Sequence, residues 1–264
     1  MAALPVNGSA RHGAGAKRLG PAGRSPRIVA NLRLAIVAAV GLCLALTGCT
    51  VTATGHPAAA PDLGRWHPPL VTTSHLADLL LGAGDVNATA HTSGMALREP
   101  ISGMVPSDGS VVDLNCLDAY GPLQHDVYQG SNWRAVQGQY LNDASAHDGH
   151  AAHLLVQGVV AFGDADSAQQ FFGQAKQHWS ACSNRQVTVT HPGHDPVTWD
   201  HGALQATETT LTMAQTMQNS NGIVCQRAIG LANNVIIDTM WCGFDTADQA
   251  GQVVTKITDT ISQA

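Results

Sequence analysis

Ile223–Cys242 reads IVCQRAIGLA-NN-VIIDTMWC. Two runs rich in β-branched and apolar residues flank Asn233-Asn234. Asn tolerates positive φ, which a two-residue type I′ hairpin loop requires at both central positions. A hairpin closed on that loop puts Ala232 opposite Val235 and Cys225 opposite Cys242. Counting outward, the cysteine pair falls in the non-hydrogen-bonded class, with a Cα separation of ~4.5 Å. That spacing suits a disulfide, at the short end of the usual range. Beyond residue 50 the cysteines are Cys116, Cys182, Cys225 and Cys242. An even number in an oxidising compartment suggests two disulfides, free core thiols being the alternative. If the hairpin takes one pair, Cys116 and Cys182 are left for each other.

Upstream, Ala168, Phe171, Phe172, Ala175, Trp179 and Cys182 share one narrow face at helical spacing. Asp164 or Asp166 can cap that helix. Residues 132–141 and 151–162 read as strands around a polar loop, with further strands at 185–191, 196–200 and 204–217. Downstream, Asp245 is expected to cap a last helix burying Ala250, Val253, Val254, Ile257 and Ile261. Ser74 is expected to cap a short helix with Leu76, Leu79 and Leu80 inward, and residues 85–112 read as irregular. Strands follow one another without regular crossover helices. The fold class is therefore α+β: a single domain over residues 70–264, with a twisted antiparallel sheet flanked by helices and two disulfides.

The N-terminal part has a different character. Residues 1–48 hold six of the 13 Lys and Arg and no acid, so the remainder carries seven bases against 19 acids, a formal charge of −12. Such an acidic domain is a poor partner for nucleic acid. Leu34 to Leu46 is an uncharged run of thirteen residues, LAIVAAVGLCLAL, shorter than the ~20 a bilayer span needs. It suits the apolar region of a secretory signal. Leu46-Thr47-Gly48-Cys49 follows and resembles a bacterial lipobox. The small residues let an extended backbone enter the signal peptidase, and the Cys49 thiol accepts a diacylglyceryl group. Residues 1–48 are thus expected to be an N-terminal extension and lipoprotein signal, a start at Val29 giving a more compact one. Residues 49–69, rich in Thr, Ala, Gly and Pro, are expected to be the lipidated cysteine and a flexible tether. Roughly 20 such residues reach on the order of 25 Å. The expected location is the outer face of the cell membrane, held by lipid.

Several short motifs together resemble the PknH-like extracellular domain, the sensor domain carried outside the membrane by a mycobacterial Ser/Thr protein kinase and by free-standing lipoproteins. They are Leu79-Leu80-Leu81, Cys116, Tyr128-Gln129-Gly130, Trp179-Ser180-Ala181-Cys182, Cys225-Gln226-Arg227-Ala228, Asn233-Asn234-Val235 and Cys242. The resemblance spans roughly residues 70–264. It implies one α+β domain with disulfides Cys116–Cys182 and Cys225–Cys242, and a cleft that receives an extracellular ligand. It supplies no ligand-contact residue to carry over, and neither a kinase domain nor a membrane-spanning helix is read in this sequence.

No G-x-S-x-G, H-E-x-x-H, C-x-x-C or phosphate-binding Gly loop occurs. The expectation is therefore a non-catalytic binding or sensor lipoprotein without a cofactor, whose partner is an unidentified envelope small molecule or protein. The runner-up is a metal-binding lipoprotein for Zn²⁺ or Cu²⁺. Its candidate ligands are His147, Asp148, His150 and His153, or His191, His194, Asp195 and His201. Trp133 beside Arg134, and Trp199 beside Asp200, are the aromatic candidates for ligand contact because their surroundings are polar. Arg227, on a strand between apolar residues, either pairs a buried acid such as Asp238 or meets an anionic ligand.

Overall fold

The hairpin forms in the register its sequence implies, with Ala232 facing Val235 and Cys225 facing Cys242. Its loop departs from expectation in one respect. Asn233 takes φ 54° while Asn234 stays negative, the sign pattern of a type II′ loop, not a I′ loop. The cause is that Asn234 is occupied. Its Oδ1 accepts from Val71 N at 2.8 Å, and its Nδ2 donates to the carbonyls of Val71 and Phe162, each at 3.1 Å. The hairpin tip thereby staples the start of the domain to the sheet.

The computed structural model describes residues 68–107, 114–145, 150–190, 193–220 and 222–263. In chain order its elements are α1 (Ala83–Ala90), β1 (Ala96–Ile101), α2 (Leu117–Tyr120), α3 (His125–Tyr128), β2 (Trp133–Asn142), β3 (His153–Phe162), α4 (Ala165–Cys182), β4 (Gln186–Val189), β5 (Val197–His201), β6 (Gln205–Ala206), β7 (Thr210–Met217), β8 (Val224–Ala232), β9 (Val235–Gly243) and α5 (Gln249–Gln263). The nine strands make one sheet in the order β1-β2-β3-β9-β8-β7-β5-β4, with β6 beside β7. All its ladders are antiparallel.

Each face of the sheet buries a helix, and period-2 alternation decides which side chains go where. On one face the α4 stripe, Ala168 through Cys182, is buried against Val160, Ile236, Ile229 and Met213. Asp164 caps that helix by accepting from Ser167 N at 2.6 Å. On the other face Ala250, Val253, Val254 and Ile257 of α5 pack with Val86 of α1 against Ile237 and Trp241. Gly138 and Gly158 sit opposite each other in the β2–β3 ladder and leave a hollow. Leu123, fully buried and at φ 57°, fills it. A Cβ on Gly158 would lie 2.6 Å from its Cδ1.

Four local expectations need correction. The segment around Ser74 forms two 3-10 turns, Thr73–His75 and Ala77–Leu79, without a side-chain cap, and Leu81 is buried where Leu80 was expected. Residues 85–112 contain α1 and β1. Strand β1 is an exposed edge with a register shift between Leu97 and Glu99, so its sequence, ALREPI, carries no alternation to read. The run 204–217 breaks into β6 and β7, where Thr207 Oγ1 accepts from Thr209 N and Thr210 N to make a turn. Asp245 does not cap α5. Asp248 immediately precedes that helix, and Asp245 is bonded to His153 instead.

Candidate functional site

On the face that carries α4, the helix shields only one half of the sheet. Beyond it the same alternation continues through Leu154 and Val156 of β3, Met240 and Cys242 of β9, and Met217 of β7. These side chains are half-buried, whereas their counterparts under α4 are buried. They floor a cleft of ≈ 990 Å³, walled by residues 99–106, Tyr120, Tyr140, Trp199 and Phe244. Ligand sites commonly span roughly 300–1,000 Å³. The Cys225–Cys242 bridge, with Cα atoms 4.0 Å apart, lies in the floor. The Cys116–Cys182 bridge, at 5.6 Å, ties the end of α4 to the turn that leads into Tyr120.

Two polar features mark the walls. On one side Tyr120 meets Trp199 edge-on, with ring centroids 6.0 Å apart. Burial raises the pKa of Tyr120, so it stays a neutral hydroxyl. Beside it Gln215 is fully buried. Its amide nitrogen donates to the carbonyls of Ala119 and Tyr120, and its Oε1 has no partner. On the other side His153 Nδ1 meets Asp143 Oδ2 at 2.7 Å, and Nε2 meets Asp245 Oδ1 at 2.9 Å. A neutral imidazole has one N–H, so both bonds are made together only by the imidazolium. Burial pulls its pKa down, but the two carboxylates outweigh burial and hold it above the ordinary value.

A pH dependence follows. The raised His153 pKa contributes stability that is fully present below the ordinary His value of ~6.5 and is lost as pH rises through the folded value. An NMR titration of the His153 ring should give a midpoint above that of an unfolded His. In His153→Gln the corresponding fall in melting temperature as pH rises above the ordinary His value of ~6.5 should vanish. A ring that titrates at or below the free value would contradict the doubly bonded state.

Behind the cleft wall lies a closed polar cluster. Arg227, from β8, is fully buried. Its guanidinium donates to Asp238 Oδ1 at 2.8 Å, to Asp118 O at 3.0 Å and to Thr239 O, and lies 5.2 Å from the Trp179 ring centroid. Asp238 Oδ2 accepts from Leu123 N at 2.8 Å and Tyr128 Oη at 2.9 Å. Burial pushes the Asp118 carboxyl up to about 6, against the pull of His178, which it meets at 3.0 Å. Burial pushes His201 down to about 4. The cluster holds the Asp118–Leu123 segment against the sheet and so positions Tyr120.

The sequence candidates separate spatially. Trp199 lines the cleft. Trp133 is half-buried at the other end of β2, packed against the α4-side core, and Arg134 is exposed beside Gly163 and Asp164. Arg227 pairs with Asp238 as the first of its two readings has it. Tyr120, Tyr140, Gln215, Met217, Met240 and Phe244 were not singled out in the sequence. For Tyr140, Met217 and Met240 the signal is that alternating apolar positions run on along their strands past the reach of α4, whereas Tyr120 and Phe244 lie off the strands. For the runner-up, no group of three or more His, Cys, Asp or Glu side chains among the described residues is placed to hold a metal. His150, His194 and Asp195 are exposed and His201 is buried on β5. His147, Asp148 and His191 lie outside the described residues.

The domain is thus one antiparallel sheet with a helix on each face and an open, apolar cleft beside one of them. The chain belongs to the PknH-like extracellular domain family, whose sequence model matches residues 71–262. It is 33% identical over 196 residues to the serine/threonine-protein kinase PknH of Mycobacterium tuberculosis, covering 74% of this chain and 31% of that one. It is 28% identical over 196 residues to PknJ of the same species, covering 74% of this chain and 33% of PknJ. The chain thus spans about a third of the length of these relatives. The crystal structure of the extracellular domain of PknH from Mycobacterium tuberculosis superposes with a TM-score of 0.71 at 32% identity, covering 74% of this chain and 99% of that one. Among the described residues, no helix is long and apolar enough to cross a membrane.

Proposed function

We propose that this protein is a lipid-anchored sensor-type domain of the cell envelope that binds a ligand in the cleft without transforming it. The uncovered half of the sheet carries the proposal. Half-buried apolar side chains with room above them, in a domain cross-linked by two disulfides, make a largely preformed site. None of the described residues lining the cleft is a nucleophile with an adjacent base, which supports binding without turnover. The described chain begins beside the hairpin tip, where Asn233 Nδ2 donates to Pro69 O at 2.6 Å. The cleft lies some eight residues along the hairpin, ~25 Å away. The described chain thus enters the domain at the end of the sheet remote from the cleft.

Occupancy of a preformed site raises stability by RT ln(1 + [L]/Kd), ~2.7 kcal/mol at a hundredfold excess over Kd. Thermal-shift screening of envelope lipids, glycans and peptides should reveal at least one stabiliser. Trp199→Ala should reduce its shift by at least half, and Trp133→Ala should leave it intact, since Trp133 lies outside the cleft. Equal loss in both variants would move the site. Conversion of a screened compound at a rate proportional to protein would overturn the non-catalytic proposal.

Anchoring has its own test. Cys49 lies outside the described residues, and the lipobox motivates the assignment. Cys49→Ala should leave an unprocessed precursor or release the protein from the membrane fraction. Unchanged mass and detergent partitioning in that variant would remove the lipid anchor.

A further inference from the structure

We infer that the cleft selects an uncharged, hydroxyl-bearing amphiphile with a single long alkyl chain, an inference that rests on the cleft being the ligand site. The floor is suited to an alkyl chain. Leu154, Val156, Met217 and Met240 present aliphatic and thioether surface with no donor or acceptor of consequence. Methionine repacks readily around a flexible guest. At the mouth Phe244 is 61% exposed, an aromatic ring with apolar surface still uncovered. At ~30 Å³ for each water-sized group, the ≈ 990 Å³ of the cleft accommodates about thirty such groups. A sixteen-carbon chain with a glycerol head, about 23 non-hydrogen atoms, fits that space at the same packing.

The walls select the head. Among the described lining residues the ionisable side chains of ordinary charge are Glu99 and His153, and no Lys or Arg is present. The His153 imidazolium is already matched by two carboxylates, Asp143 and Asp245, so that corner is net negative. Arg98, next to the lining residue Glu99 on β1, is bonded to Asn142 Oδ1 at 2.7 Å and Ala144 O at 2.7 Å. Arg227 is fully buried behind the wall and paired with Asp238. An anionic head would be desolvated against like charge with no cation to receive it. Among the described lining side chains, the buried atom without a partner is Gln215 Oε1, a neutral acceptor left without a donor. A hydroxyl satisfies it. An ammonium head seated at Gln215 would be stripped of water for one neutral acceptor, while the anions that would draw it, Glu99 and Asp245, are exposed and screened by water. The Tyr120 hydroxyl, kept neutral by burial, stands on the same wall to accept or donate a second bond.

The test uses purified protein with three probes of equal chain length: 1-monopalmitoylglycerol, palmitate and hexadecyltrimethylammonium. Binding is read by tryptophan fluorescence and by native mass spectrometry at pH 7.5. Monopalmitoylglycerol should bind at 1:1 and at least about tenfold tighter than either ion. Its eight-carbon homologue should bind at least about tenfold more weakly, since each buried methylene contributes to affinity. Leu154→Trp, which fills the floor, and Met240→Glu, which charges it, should each abolish binding while the melting transition stays cooperative. Two variants are used so that a folding failure in one leaves the other informative. Equal or tighter binding of palmitate or of the ammonium probe overturns the head-group selection. If that binding is still lost in Leu154→Trp, the cleft remains the ligand site. Monopalmitoylglycerol binding that survives both variants overturns the selection and the cleft together. Failure of all three probes to bind overturns the amphiphile class and leaves the cleft to the thermal-shift screen.

Discussion

Arg227→Met is expected to lower the unfolding free energy by about 3–5 kcal/mol, the usual cost of removing one partner from a buried ion pair. The size follows from what is left behind. Asp238 would keep its bonds from Leu123 N and Tyr128 Oη but lose the only cation it meets among the described residues. The carbonyls of Asp118 and Thr239 would lose a donor. Asp118, whose carboxyl burial already pushes up to about 6, is also held down by the Arg227 charge. In the variant the Asp118 carboxyl should take up its proton at higher pH than before. Methionine fills comparable volume, so little of the loss should come from a cavity. Urea titration at pH 7.5 measures it, with the midpoint falling and the slope unchanged. In a double-mutant cycle with Asp238→Asn, Arg227 and Asp238 should couple by more than about 1 kcal/mol. A single-variant cost under about 1 kcal/mol would mean that the cluster is already screened by water.

What could be read from the sequence, and what could not, divides along the range of the signal. The Cys225–Cys242 register was legible because a two-residue loop fixes every pair behind it, and period 2 leaves no freedom to slip. The α4 stripe was legible because six apolar residues at helical spacing admit one face. The backbone sign at Asn234 was not, since it depends on Val71, 163 residues away. Nor was Asp245. An acid before an apolar helix reads as a cap, and only the fold brings His153 beside it. The same limit applies to the tryptophans. Trp133 and Trp199 have equally polar neighbours in sequence, yet Trp199 lines the cleft and Trp133 does not. The cleft arises because α4 is shorter than the face it lies on. Leu154, Val156 and Met240 are therefore indistinguishable in sequence from the core positions that continue their strands.

The paired glycines show how the buried cluster and the cleft depend on each other. Leu123 takes a positive φ that costs on the order of 1 kcal/mol or more in a non-glycine residue. It is held there by Asp238 below and by Val105 N, which donates to its carbonyl at 2.8 Å. That second bond joins the Leu123 turn to the segment 100–106 that walls the cleft. The wall is thus tied to the sheet through Leu123 and Asp238, and Arg227 fixes Asp238. Arg227→Met should therefore weaken ligand-induced stabilisation even though Arg227 does not line the cleft.

Loss of the Cys116–Cys182 bridge is expected to cost more than loss of the Cys225–Cys242 bridge. Closing a loop of 66 residues removes about 4 kcal/mol of unfolded-state entropy, and closing one of 17 about 3 kcal/mol, both dependent on the entropy model. Local structure widens the gap. Cys225 and Cys242 lie in a ladder that continues on both sides of them, from Val224–Gly243 to Ala232–Val235, so their strands stay paired without the covalent link. Cys116 has no such ladder. It leads into α2, a single turn whose Asp118 carbonyl accepts from Arg227 and whose Tyr120 walls the cleft. Cys116→Ala/Cys182→Ala should therefore lower the urea midpoint more than Cys225→Ala/Cys242→Ala does. It should also speed amide exchange across residues 114–124, because the entropy released there is not opposed by strand pairing. The hairpin variant should keep slow exchange along β8 and β9. The reverse order of urea midpoints, or equal exchange at residues 114–124 in both variants, would show that α2 is held by the packing of its own Leu117 and Ala119 into the core, with the disulfide adding little.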